Sequence, residues 1–227
     1  MADTDAEDFV RITEWLEADL GGTVVHIERQ ARWRPAWWVT LERDGEQLSL
    51  YVRGDRLDSP SAFSLEHERV FQTLLSERGI RVPRVYGWHD ADPKAYVTER
   101  VPGADNFEAV SDDERRAAME DYVDILLEMH QLDVTPFSDA GIVRAARPEE
   151  SHLVGLERFT RQAYREEKKR PDPFLEFALA WLLRNTPDNP GREAAIVWDA
   201  GQLHHQNGRI TAMLDLEFGR ASCRERV

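Results

Sequence analysis

Residues 194–218 read AAIVWDAGQLHHQNGRITAMLDLEF, and the dipeptide Asn207-Gly208 inside them is the tightest constraint on the chain. Both central positions of a type I′ turn need positive φ, so this pair predicts a hairpin with a two-residue turn. Such a turn fixes register. Counted outward along an unbroken ladder, Gln206 faces Arg209, His204 faces Thr211 and Ala200 faces Asp215. An apolar strand over 194–198 and a short loop holding Asp199 precede the hairpin, so Asp199 and Asp215 are expected to share its open end. Directly opposed residues have Cβ atoms roughly 5 Å apart. Two carboxylates that close repel unless a proton or a cation lies between them. Magnesium, which takes oxygen ligands, is the natural candidate.

The succession of apolar strand, Asp loop, hairpin and second strand closing on Asp215 resembles the catalytic loop and metal-binding strand of the aminoglycoside phosphotransferase family. That family shares the protein-kinase-like fold. The resemblance implies that Asp199 is the base orienting an acceptor hydroxyl, and that Asp215 holds a magnesium ion bridging the phosphates of ATP. Within this stretch the chain departs from the family pattern in two places. Val197-Trp198 stands where His-Gly usually precedes the catalytic Asp, and His204 stands where a metal-binding Asn is usual. Asn207 cannot substitute, because it lies at the turn, roughly 16 Å of strand from Gln202. Gln202 and His204 are the remaining candidates for the second ligand, although a hard ion prefers oxygen. His204 and His205 also read as strand-surface histidines.

Upstream, Phe9, Ile12, Trp15, Leu16 and Leu20 recur at helical spacing over 8–20 and stop at Gly21-Gly22. Residues 23–28, 37–43 and 47–53 are β-rich, and Asp44-Gly45 joins the last two as a hairpin. The connection RQARWRPAWW stands where the family carries a glycine-bearing loop over the ATP phosphates. Arg32 and Arg34 could meet phosphates from there, or belong to a surface loop with packed tryptophans; they stay unassigned. Alternation in LSLYVR puts Leu48, Leu50 and Val52 on one face and Ser49, Tyr51 and Arg53 on the other. Arg53 occupies the position of the family's phosphate-binding lysine, and the chain has only Lys94, Lys168 and Lys169.

A helix over 64–78 with Gly79 behind it would bury Leu65, Phe71, Leu74 and Leu75. Glu68 lies beside that stripe. A buried carboxylate needs a cationic partner, and the resemblance implies Arg53; a solvated Glu68 beside Arg69 is the alternative. Residues 82–88 and 95–101 form another hairpin, and by resemblance Glu99 and Val101 belong to the hinge whose backbone meets adenine. Ser111 and Glu114 read as a capping box. The helix it opens has Ala118, Tyr122, Ile125, Leu126 and Met129 on one face, and His130 near its end reads as a structural hydrogen-bonder. Residues 140–152 read as loop, 153–167 and 173–184 as helices, and 185–192 as a connection.

A hydrophobic fraction of 41% over 227 residues suffices for a core. The acidic start shows no secretory pattern, and the longest apolar run, 177–183, is too short to cross a bilayer; the expected location is cytoplasmic. A net charge of −14 disfavours phosphate-based nucleic-acid binding and would attract a cationic substrate. The last nine residues, GRASCRERV, hold the only cysteine, Cys223. They resemble the translation of a sequencing adapter, so the natural chain is expected to continue past Phe218.

The resulting expectation is an α+β, two-lobed protein-kinase-like fold. It would have a small β-rich amino-terminal lobe over 1–103, which binds nucleotide, and an incomplete helical lobe over 104–218. The expected function is ATP-dependent phosphotransfer, with magnesium, to a hydroxyl of a small molecule. Alternatives are a catalytically impaired nucleotide-binding pseudokinase and an inert truncated fragment. Acceptor identity and oligomeric state are not encoded in readable form.

Overall fold

Asp44 and Gly45 both adopt positive φ, 55° and 79°, the signature of the I′ turn expected between two strands. They join β2 (Ala36–Arg43) to β3 (Glu46–Gly54) in register from Arg43 opposite Glu46 to Ala36 opposite Arg53. The computed structural model describes residues 2–31, 34–55, 64–91, 93–140, 163–185, 193–197, 202–216 and 220–222. With β1 (Thr23–Arg29), β4 (Val85–His89) and β5 (Ala95–Glu99), these strands form an antiparallel sheet in the order β1-β2-β3-β5-β4. Helix α1 (Ala2–Leu20) begins six residues earlier than the apolar spacing suggested.

The pleat of this sheet decides what each face can do. Leu50 and Val52, with Trp37, Val39, Leu41, Ala95 and Val97, turn to one side and are buried against Ile12, Trp15 and Leu16 of α1. Burial of each such large side chain contributes about 1.5–3 kcal/mol. Arg53 and its cross-strand partner Tyr96 turn to the other side, toward α2 (Leu65–Glu77). Ser64 caps α2 by accepting from the His67 N–H at 3.1 Å, and Gly79, at φ 81°, terminates it. Its buried residues are Leu65, Phe71 and Leu75 together with three polar ones, His67, Glu68 and Gln72, while Leu74 is only half-buried.

Phe71 and Leu75 also enter a second core, shared with Ala118, Tyr122, Ile125 and Met129 of α3 (Asp112–His130) and Phe137 of α4 (Thr135–Asp139). The Ser111 hydroxyl accepts from the Glu114 N–H at 3.2 Å, but the Glu114 carboxylate does not return to complete a capping box. It accepts instead from the Gly208 N–H, 3.2 Å away in the turn between β7 (Leu203–Gln206) and β8 (Arg209–Met213). Before that hairpin come α5 (Ala163–Glu167), α6 (Pro173–Arg184) and β6 (Glu193–Ala195). Only the last five residues of the helix expected over 153–167 are among those described. The strand expected over 194–198 is the shorter β6, and it pairs with β9 (Arg220–Ser222), so part of the tail takes up a ladder position.

The expected hairpin register needs correction. Asn207 and Gly208 do form the turn, at φ 52° and 72°, and Gln206 faces Arg209. A bulge between His204 and His205 then moves His204 opposite Ala212, not Thr211, and the ladder ends at Leu203 with Met213. Thr211 is the extra residue, and its hydroxyl donates to the Pro102 carbonyl at 2.6 Å. Bulges re-aim side chains and increase local twist. The ladder therefore never reaches Asp215, whose φ of 53° takes it out of strand geometry.

Candidate functional site

Strand β3 delivers Arg53 to the α2 side of the sheet, where its Nε donates to Glu68 Oε2 at 2.9 Å. These two residues, expected to pair, do so. Arg53 continues past Glu68: its Nη2 donates to Asp215 Oδ1. One guanidinium consequently ties β3, α2 and the segment after β8 together. Gln202, just before β7, donates through Nε2 to Asp215 Oδ2 at 2.8 Å.

Arg34 completes the cluster, and sequence reasoning left it unassigned. It leaves the β1–β2 connection and grips the Glu68 carboxylate with both terminal nitrogens, at 2.9 and 3.1 Å. The Glu68 side chain is 2% exposed and that of Arg34 is 7% exposed. Burial on this scale is tolerated because the charges are paired.

Electrostatics follow from this arrangement. Burial opposes the charge of Arg53, yet Tyr96, Glu68 and Asp215 together hold its guanidinium above the usual range. Burial alone would raise Asp215, but Arg53, by charge and hydrogen bond, and Gln202 pull its carboxyl below the ordinary value. Behind Arg53, burial pushes the Tyr96 phenol up. The Tyr96 hydroxyl donates to Gln72 Oε1 at 3.3 Å, and Gln72 Nε2 donates to the Pro83 carbonyl at 2.6 Å. The wall behind the ion pairs is therefore buried and hydrogen-bonded.

The hinge candidates lie at the end of β5. The Glu99 N–H donates to the Arg84 carbonyl and the Arg100 N–H to the Ser49 carbonyl, at 2.8 and 3.0 Å. His204, a candidate metal ligand, sends Nδ1 to the Val101 carbonyl, 3.2 Å away, and so is engaged with the hinge. A two-way backbone bridge, 2.9 Å in each direction, then joins Ala104 to His205. The His205 ring stacks on Phe107 at 4.0 Å and meets the Asn106 carbonyl at 2.6 Å. The segment after β5 and the hairpin that leads to Asp215 are one hydrogen-bonded unit.

Two further residues hold that hairpin in place. Asp121 of α3 accepts from the Ile210 N–H at 2.8 Å and receives Arg81 at 2.6 and 2.8 Å, while Arg81 Nη1 also donates to the Ile210 carbonyl at 2.9 Å. Neither residue was singled out from sequence: Asp121, beside the buried Tyr122, looks like the solvated edge of a helix, and Arg81 lies in the bend before β4. Asp199 lies outside the described residues. Among the described residues no group of three or more His, Cys, Asp and Glu could hold a metal ion. Asp215 and the Gln202 amide are oxygen donors that suit a hard divalent cation, whereas His204 is directed elsewhere.

Comparison with known proteins gives this geometry a context. A family model described as a phosphotransferase enzyme family matches residues 25–221. An aminoglycoside 3′-phosphotransferase from Streptomyces ribosidificus is 36% identical over 93 residues, which span 40% of this chain and 35% of that protein. Among solved structures, a thermostable mutant of the aminoglycoside phosphotransferase APH(4)-Ia matches with a TM-score of 0.59 at 13% identity, covering 93% of this chain and 73% of that one. The aminoglycoside phosphotransferase APH(3′′)-Id from Streptomyces rimosus matches with a TM-score of 0.55 at 21% identity, covering 95% and 79% respectively. It has also been solved with ADP and streptomycin, and that structure matches at 0.52 and 23% identity, covering 95% of this chain and 79% of that one. At such identities the likeness is one of fold, and the fold is the expected kinase-like α+β arrangement. No helix among the described residues is long and apolar enough to cross a membrane.

Proposed function

The chain belongs to the phosphotransferase enzyme family, and from that premise we propose that it transfers the γ-phosphoryl group of ATP to a hydroxyl of a small molecule. The observation that carries this reading is Arg53, held by Glu68 on one side and in contact with Asp215 on the other. Phosphoryl transfer demands little covalent chemistry from a protein. It needs the phosphates positioned and their charge neutralised.

Each residue has an assigned part. Arg53 binds phosphate oxygens through its planar, always-charged guanidinium. Asp215, with the Gln202 amide beside it, would hold a magnesium ion, whose charge would offset that of the phosphates. Asp199 orients the acceptor hydroxyl and takes its proton as the oxygen forms its bond to the γ-phosphorus, and ADP leaves with the electrons of the broken P–O bond. Adenine recognition falls to the Glu99 carbonyl and the Val101 N–H, an acceptor and a donor suited to the amino group and ring nitrogen of the base. The Glu99 N–H, Arg100 N–H and Val101 carbonyl serve the sheet and the hairpin, and the Glu99 carbonyl accepts from the Thr98 hydroxyl at 3.1 Å.

The names of the relatives make aminoglycosides the first acceptors to assay, and a net charge of −14 favours encounter with such polycations. The test is Asp199→Asn. Turnover measured by ADP release should fall by about a thousandfold or more, while ATP affinity measured by calorimetry stays within about twofold. An unchanged rate removes Asp199 from the mechanism.

A further inference from the structure

Glu68 is gripped by more positive charge than one carboxylate requires. Arg34 alone pairs with it bidentately, at 2.9 and 3.1 Å, and Arg53 adds a third hydrogen bond at 2.9 Å. The carboxylate is 2% exposed, so water does little to screen the balance. Without Arg34, the charges of Arg53 and Glu68 would cancel. With it, the trio keeps a net positive charge, which Asp215 meets from the far side of Arg53.

We propose that Arg34 is a positioning residue for triphosphate binding: by neutralising Glu68 it leaves the charge of Arg53 available to the phosphates. The inference rests on the nucleotide-binding reading given above and extends it to a residue on the β1–β2 connection. Glu68 in this arrangement fixes where the Arg53 guanidinium sits, while Arg34 sets how much of its charge an incoming anion meets. A polyanion can then draw Arg53 from Asp215 without confronting an unbalanced buried carboxylate. Arg34 also binds the β1–β2 connection to α2, so the element above the site and the residue inside it share one anchor.

Equilibrium binding of ATP and of adenosine separates this from a structural role. Arg34→Met should weaken ATP by about tenfold, the scale of a charge-assisted contact, and leave adenosine within about twofold. Arg34→Lys, which keeps the charge but not the bidentate grip, should bind ATP more tightly than Arg34→Met. Three results overturn the proposal: ATP affinity unmoved in Arg34→Met, adenosine weakened in step with ATP, or a lysine variant binding ATP no better than the methionine one. If Arg34→Met does not fold, Arg34→Gln, which can still hydrogen-bond Glu68 without the charge, takes its place, and ATP affinity unmoved there refutes the role. A wild-type chain that binds no ATP overturns the functional reading and this inference together, whereas wild-type binding that Arg34→Met leaves intact overturns the inference alone.

Discussion

Replacing Glu68 by Ala removes the carboxylate on which two guanidiniums converge. Three hydrogen bonds disappear, at 2.9, 3.1 and 2.9 Å, from a side chain that is 2% exposed. Removing one partner of a buried ion pair costs about 3–5 kcal/mol, because a charge is left behind without compensation. Arg53 retains Asp215, so its share of the loss is reduced and the total belongs at the lower end, about 3 kcal/mol. Against a typical stability of about 5–15 kcal/mol this is a large fraction, and for a chain of this size it lowers Tm by roughly 6–12 °C. Urea titration at neutral pH reads the loss as a shift in midpoint with an unchanged slope. Glu68→Gln keeps the shape and should lose nearly as much, since charge rather than volume is at stake. Buried pairs are poorly screened, so the loss should persist in about 1 M salt. A loss under about 1 kcal/mol, or one that vanishes in high salt, would show that the pairs behave as surface salt bridges, and the reasoning about this cluster would fail.

Asp121 gives a prediction in pH. The hydrogen bonds from Arg81 hold its carboxyl below the usual range, against the opposing effect of burial. A lowered folded-state pKa contributes stability that is present above the unfolded value, about 3.9, and is lost as pH falls through the folded value. Asp121→Asn should therefore be less stable than wild type near neutrality, and the gap should close on acidification below about pH 4; a constant gap down to acid pH excludes the mechanism. Gly103 gives a steric prediction. At its φ of +126° an added Cβ would lie 2.8 Å from the His205 carbonyl oxygen and 2.9 Å from the Thr211 hydroxyl. Gly103→Ala should cost about 1–3 kcal/mol by forcing the hinge off the hairpin, read as a lowered Tm; an unchanged Tm would mean that the bridge between Ala104 and His205 is dispensable.

Local rules made much of the fold legible. Asp44-Gly45 and Asn207-Gly208 dictated their turns because few residue types accept positive φ. Period-two alternation in β3 placed Leu50 and Val52 against α1 and Arg53 opposite them. The cost of burying an unpaired carboxylate was enough to send Glu68 to a cation. These inferences hold because turn chemistry, pleat and desolvation act over a few residues.

Other features could not be read in that way. The bulge that shifts His204 to Ala212 depends on Thr211 finding the Pro102 carbonyl, more than a hundred residues away in sequence. Arg34, Asp121 and Arg81 are unremarkable as letters in a string, and their roles come from partners on other elements. Asp215 was expected to be a metal ligand from its neighbours in the chain. Its left-handed backbone and its contact with Arg53, 162 residues earlier, exist only because α2 and the sheet bring Arg53 to meet it. Sequence alone determined which short segments would turn, alternate or coil, and which acids had to be paired or ligated. Tertiary structure decided which charges met, because electrostatic pairing depends on distance in space and the chain is blind to that distance until its hydrophobic faces have closed.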